Sequence, residues 1–141
     1  MYGIFNIGLD SDIALPELPV TDTYRSIIKV SSKPKSESSV DQTEWLHWET
    51  PKGETFASFA STNNSFLIRF PNTVDFVISK SCDAVDYQPI ADIPIETIRH
   101  LLLDQVVPRC LGQQGNLILH ASAIVLADGS MVAFLGDSGW G

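Results

Sequence analysis

The chain is poor in the residues that build metal centres and disulfide frameworks. It has two cysteines, Cys82 and Cys110, in 141 residues. That allows a single disulfide at most, and two reduced, apolar thiols in a cytosolic protein are the blander expectation. The three histidines, His47, His100 and His120, are scattered without zinc-motif spacing, so no metal cluster is expected. Basic residues are scarce: nine Lys and Arg stand against seventeen Asp and Glu, a formal net charge of −8. Such a field repels phosphate backbones and argues against nucleic acid as a general partner. It leaves room for a local anion site, because backbone amides bind phosphate without net positive charge. No apolar run reaches the roughly 18–20 residues of a membrane span. Met1 to Asp12 has no basic start and carries Asp10 and Asp12, unlike a signal peptide. A cytoplasmic location with no membrane contact is the expectation.

What is present fits a folded chain. Apolar residues make up 44% and charged residues 18%, a globular rather than a disordered composition. Tyr24 to Val30 reads as a strand, and the polar, serine-rich residues 31–44 as a surface loop. Trp45 to Glu49 is a short aromatic strand, followed by a turn at Pro51 to Glu54. Phe56 to Ser61 and Phe66 to Phe70 flank Asn63-Asn64, a hairpin in which Asn would supply positive φ. After a turn at Pro71-Asn72-Thr73, Val74, Phe76 and Ile78 alternate on one strand face, and Val85 to Ile90 adds another strand. Residues 1–91 therefore predict a mostly antiparallel β domain, with the Trp45, Trp48 and Phe56 cluster in its core.

Near Pro94 the period changes. Ile95, Ile98, Leu102 and Val106 fall at helical spacing, with Asp92 and Glu96 near the start. The pattern predicts a connecting helix over 92–115, kinked or ended by Pro108 and closed by Gly112 or Gly115. Arg99, Asp104 and Arg109 are expected on its solvated side. Residues 116–141 differ again. Leu117 to Ala127 and Ser130 to Leu135 are nearly continuous apolar runs joined by Asp128-Gly129, a hairpin signal. Strands of that kind are normally covered on both faces in an α/β protein.

After the second run comes Gly136-Asp137-Ser138-Gly139-Trp140-Gly141. Gly136 and Gly141 have the spacing of a phosphate-binding loop, Gly-x4-Gly-Lys-Ser/Thr, and follow a strand where such a loop belongs. The glycines let backbone amides wrap phosphate closely. The Lys and Ser/Thr would occupy positions 142 and 143. The bland alternative is a glycine-rich turn, in which Asp137 and Ser138 solvate the tip and Trp140 packs.

Leu119-His120-Ala121-Ser122-Ala123, a hairpin, then Val132 to Gly141 resembles the HPr serine kinase/phosphorylase family, including its relatives in lasso-peptide gene clusters. In that family a similar strand, hairpin and Gly-Asp-Ser-Gly-x-Gly-Lys-Ser/Thr loop follow closely. The hairpin approach to the loop is shared with the phosphoenolpyruvate carboxykinases. The resemblance covers roughly residues 115–141. It implies an α+β chain: a β-rich front domain, one helix, then the first hairpin of a P-loop kinase core. It implies ATP and Mg2+ as cofactors and a protein or peptide serine as phosphate acceptor. It puts His120 beside the nucleotide as a candidate catalytic residue, and Gly136, Asp137, Ser138, Gly139, Trp140 and Gly141 around the phosphates. His120 reads equally well as a core histidine, and Ser122, on the same strand face, as a small core residue.

The family's loop lysine, magnesium hydroxyl and downstream aspartate are not within these 141 residues. A carboxylate on Gly141 near the lysine position would repel phosphate by roughly 4 kcal/mol at ~4 Å and an effective dielectric of about 20. The chain is thus expected to be the inactive front part of a serine kinase, with apolar strands prone to self-association. The alternative is a non-catalytic β module that binds a partner protein or peptide. A carboxykinase relative acting on a small metabolite shares the loop geometry.

Overall fold

The computed structural model describes residues 1–33 and 44–136. Ten strands and one interrupted helix follow in order. Strands β1 (Tyr2–Ile4), β2 (Ile7–Ser11), β3 (Ser26–Ser32), β4 (Leu46–Glu49), β5 (Thr55–Ser61), β6 (Ser65–Phe70), β7 (Val74–Ser79) and β8 (Ala84–Pro89) form one sheet. Its order is β1-β2-β3-β8-β7-β6-β5-β4. The helical stretch runs through α1 (Ile95–Leu101), a π-helical segment (Leu102–Val106) and α2 (Val107–Gln113). Strands β9 (Ser122–Val125) and β10 (Met131–Phe134) pair only with each other.

The sheet is mostly antiparallel, as the alternating pattern predicts. Two of its pairings, β2 with β3 and β3 with β8, are parallel. The first brings in two strands the alternation did not reveal, β1 and β2, and the second sets β8 on the other side of β3. Strands β1 and β2 pair as a hairpin, Ile4 opposite Ile7, around Phe5 and Asn6 with φ of 48° and 66°. Positive φ at both central residues is the type I′ geometry that suits strand twist. Asn6 tolerates it, but a phenylalanine does not advertise it. A parallel neighbour needs a long crossover. Residues 12–25 supply it and bury Ile13 and Leu15 under the sheet.

The four-strand meander from β5 to β8 forms from local turn chemistry. Phe70 and Val74 close on Asn72, whose φ is 56°, with Thr73 N–H bonded to Phe70 O at 3.0 Å. The Asn63-Asn64 turn closes differently from expectation. Neither Asn has positive φ, and the Thr62 hydroxyl instead accepts from Ser65 N–H at 3.0 Å. Val74, Phe76 and Ile78 bury one face of β7, and their cross-strand neighbours Val85, Tyr87 and Ile68 extend that layer.

The helix lies within the same core. Ile98, Leu102, Val106, Val107, Cys110 and Leu111 share one apolar cluster with Leu9, Ile28, Val30 and Phe76. Ile95 departs from its expected role and is exposed. Pro108 does not end the helix. It lacks the N–H that would bond one turn back, and its ring crowds that carbonyl. The preceding five residues widen into a π segment, which relieves both problems and lets α2 continue. Gly115, at φ 87°, then stops it: Asn116 N–H reaches Leu111 O and Gly115 N–H reaches Gly112 O, both at 3.0 Å. That is the Schellman arrangement.

Two further expectations need correction. Trp48 and Phe56 are half exposed at the sheet's edge rather than in the core. A bulge between Trp48 and Glu49 leaves Phe56 unpaired and swings it into edge-to-face contact with Trp48 at 5.1 Å and Phe70 at 5.8 Å. Arg99 and Arg109 are half-buried, not on a solvated face. Arg99 pairs with Glu17 at 2.7 Å and ties the helix to the 12–25 crossover.

Candidate nucleotide-loop hairpin

The hairpin β9–β10 delivers the chain to Gly136. It is shorter than the apolar runs, pairing Val125 with Met131 and Ser122 with Phe134. Its loop is not a two-residue Asp-Gly turn. Leu126 N–H bonds Ser130 O at 2.8 Å, and Gly129 takes φ 83°. A three-residue loop ending in a left-handed residue results, with the glycine where a side chain would strain the backbone. The Asp128 carboxylate accepts from Ser130 N–H at 2.9 Å and from the Ser130 hydroxyl at 2.6 Å. These bonds hold the Asp128 carboxyl below its ordinary range.

All residues from Gly112 to Gly136 are exposed. Strands expected to be covered on both faces therefore present Val125, Met131 and Phe134 to solvent. The reason is packing: the β1–β8 core is closed by the helix, and no second layer lies over the hairpin among the described residues. His120 is exposed and precedes β9, outside any strand. Ser122 opens β9, and it is exposed rather than a core residue. The pairing ends at Ser122 opposite Phe134, so His120 and Gly136 each lie two residues beyond the hairpin's open end and are not themselves paired. Gly136 follows β10 by two residues. Asp137, Ser138, Gly139, Trp140 and Gly141 lie outside the described residues.

A separate concave feature was not legible in the sequence. A groove of about 810 Å³ runs between β5–β7 and α2. Phe59, Phe66, Ile68 and Ile78 line it, with Cys82 and Cys110 at its base and Arg109 on its wall. Both cysteines are buried free thiols. Burial pushes the Cys110 thiol up to about 12 and raises that of Cys82. Arg109 lies over the Phe59 ring at 5.0 Å, and its Nη1 donates to Gln105 O and, at 3.0 Å, to Gln105 Oε1. Burial lowers its proton affinity. On the sheet's opposite face, His47 Nδ1 lies 2.8 Å from the Ser58 hydroxyl, and Arg69 makes a two-point bond to Asp75 at 2.8 and 2.7 Å.

Among the described residues, no group of three or more His, Cys, Asp or Glu side chains is arranged to hold a metal ion. No helix among them is long and apolar enough to cross a membrane. In comparisons with protein-family models, curated proteins and solved structures, none matches this chain. The geometry therefore carries the functional reading.

Proposed function

We propose that this chain is the front part of an ATP-dependent serine kinase similar to HPr kinase, acting on a protein or peptide serine. The observation that carries the reading is the hairpin β9–β10. It forms its own sheet, is apolar and open on its surface, and leads directly to Gly136. A hairpin of that kind is the first element of a further layer, and isolated two-stranded hairpins are marginal without one. In this reading Gly136 to Gly141 wraps the ATP phosphates with backbone amides, and the following Lys and Ser/Thr supply charge and a Mg2+ ligand. His120 stands beside the loop and positions a phosphate or carboxylate oxygen. Catalysis is then positioning and charge neutralisation rather than covalent chemistry. The gene sequence past codon 141 tests this at once. Lys-Ser or Lys-Thr at 142–143 supports the kinase, and any other pair removes its phosphate chemistry.

A second reading has one observation in its favour. Strand β4 is the sheet's edge, and all four of its residues are exposed, including Leu46 and Trp48. An edge of this type accepts an extended peptide as an added strand. A stop codon after Gly141 favours this binding-module reading.

A further inference from the structure

The groove lined by α2 combines apolar walls with a cation. Its walls are apolar, from Phe59, Phe66, Ile68 and Ile78. Its volume, about 810 Å³, lies in the range that encloses a drug-sized molecule. Yet a guanidinium sits on its wall. Arg109 has no carboxylate partner among the described residues, whereas Arg99 is paired with Glu17. A half-buried cation without a counter-ion is costly unless something compensates it.

The Arg109 side chain is also pre-oriented. Phe59 supports its flat face and Gln105 holds Nη1. Nε and Nη2 remain without a bond among the described residues. Those two nitrogens form the side-on fork that a carboxylate accepts in two parallel hydrogen bonds. Glu44 is exposed at the rim of the same groove. Its charge disfavours a dianion more than a monoanion.

We propose that this groove binds a small amphipathic monocarboxylate, its apolar body against Phe59, Phe66 and Ile68 and its carboxylate on Nε and Nη2 of Arg109. The charge complementarity between an unpaired, half-buried guanidinium and a single carboxylate identifies the occupant. The site is independent of the kinase reading, because it lies between the β1–β8 sheet and α2 and uses no residue of the hairpin.

Octanoate is the probe, and 1-octanol its uncharged counterpart, in calorimetric titrations on the full chain. Octanoate binds more tightly than octanol. Arg109→Gln weakens octanoate about tenfold or more and leaves octanol unchanged, as loss of a charge-assisted pair requires. Arg109→Lys keeps the charge but not the fork, and weakens octanoate by less than Arg109→Gln. It carries the test if the glutamine variant does not fold. Val125→Lys, on the hairpin, leaves octanoate binding unchanged. The proposal is overturned if octanoate does not bind the unaltered chain, if Arg109→Gln and Arg109→Lys bind it as well as the parent does, or if Val125→Lys abolishes it.

Discussion

Leu102→Ala tests whether the helix and sheet form one cooperative unit. Leu102 is 0% exposed, opens the π segment and belongs to the cluster that also contains Leu9, Ile28 and Phe76. Truncating a leucine at such a site removes transfer free energy and leaves a cavity, at a cost of about 2.7–5 kcal/mol. For a chain of this size each kcal/mol lowers Tm by roughly 3–5 °C, so a fall of about 8 °C or more is expected. Leu126→Ala is the matched control. The same atoms are removed from the hairpin, where Leu126 is 42% exposed, and a change within about 0.5 kcal/mol is expected. Urea unfolding followed by circular dichroism measures both, with the midpoint falling and the slope unchanged for Leu102→Ala. A loss below about 1 kcal/mol at Leu102, or an equal loss at Leu126, would refute the assignment of the helix to the sheet's core.

Cys110, its thiol pushed up to about 12 by burial, should react with a disulfide reagent at pH 8 at least about a thousandfold more slowly in the folded chain than in urea. The sign for stability follows: the unfolded thiol ionises first, so stability declines as pH rises from the ordinary 9.0 towards about 12, and a flat profile there would contradict the burial. Phe5→Asn relieves a phenylalanine held at φ 48° with little lost packing, since Phe5 is 77% exposed, and should raise stability by about 1 kcal/mol in the same urea assay. The open hairpin should drive self-association on size-exclusion chromatography, reduced when Val125→Lys and Phe134→Lys are combined. A clean monomer from the unaltered chain would count against that.

Much of the fold was legible because it rests on local signals. The alternation of Val74, Phe76 and Ile78 and the αL-tolerant Asn72 specify β7 and its turn within a few residues. Gly115 announces the helix end because its φ is open to few other residues. What was hidden depends on non-local pairing. Strand β2 is recognisable only once β3 lies parallel beside it, and residues 12–25 carry no crossover pattern. The π segment was legible only as a generic disturbance by Pro108. Arg109 looked like a solvated charge because helical spacing cannot show that Phe59, fifty positions earlier in sequence, lies beneath it. For the candidate loop, the hairpin itself was legible from Asp128-Gly129, while the apolar runs were read as covered strands and prove to be open.

The measurement closest to the central proposal is Mg-ATP binding by calorimetry, on this chain and on a version extended through the rest of the reading frame. The account predicts that a chain carrying Lys-Ser or Lys-Thr after Gly141 binds Mg-ATP and that residues 1–141 alone bind it far more weakly, because the lysine charge and the Mg2+ ligand of such a loop would come from positions 142 and 143. An extended protein that fails to bind Mg-ATP would contradict it.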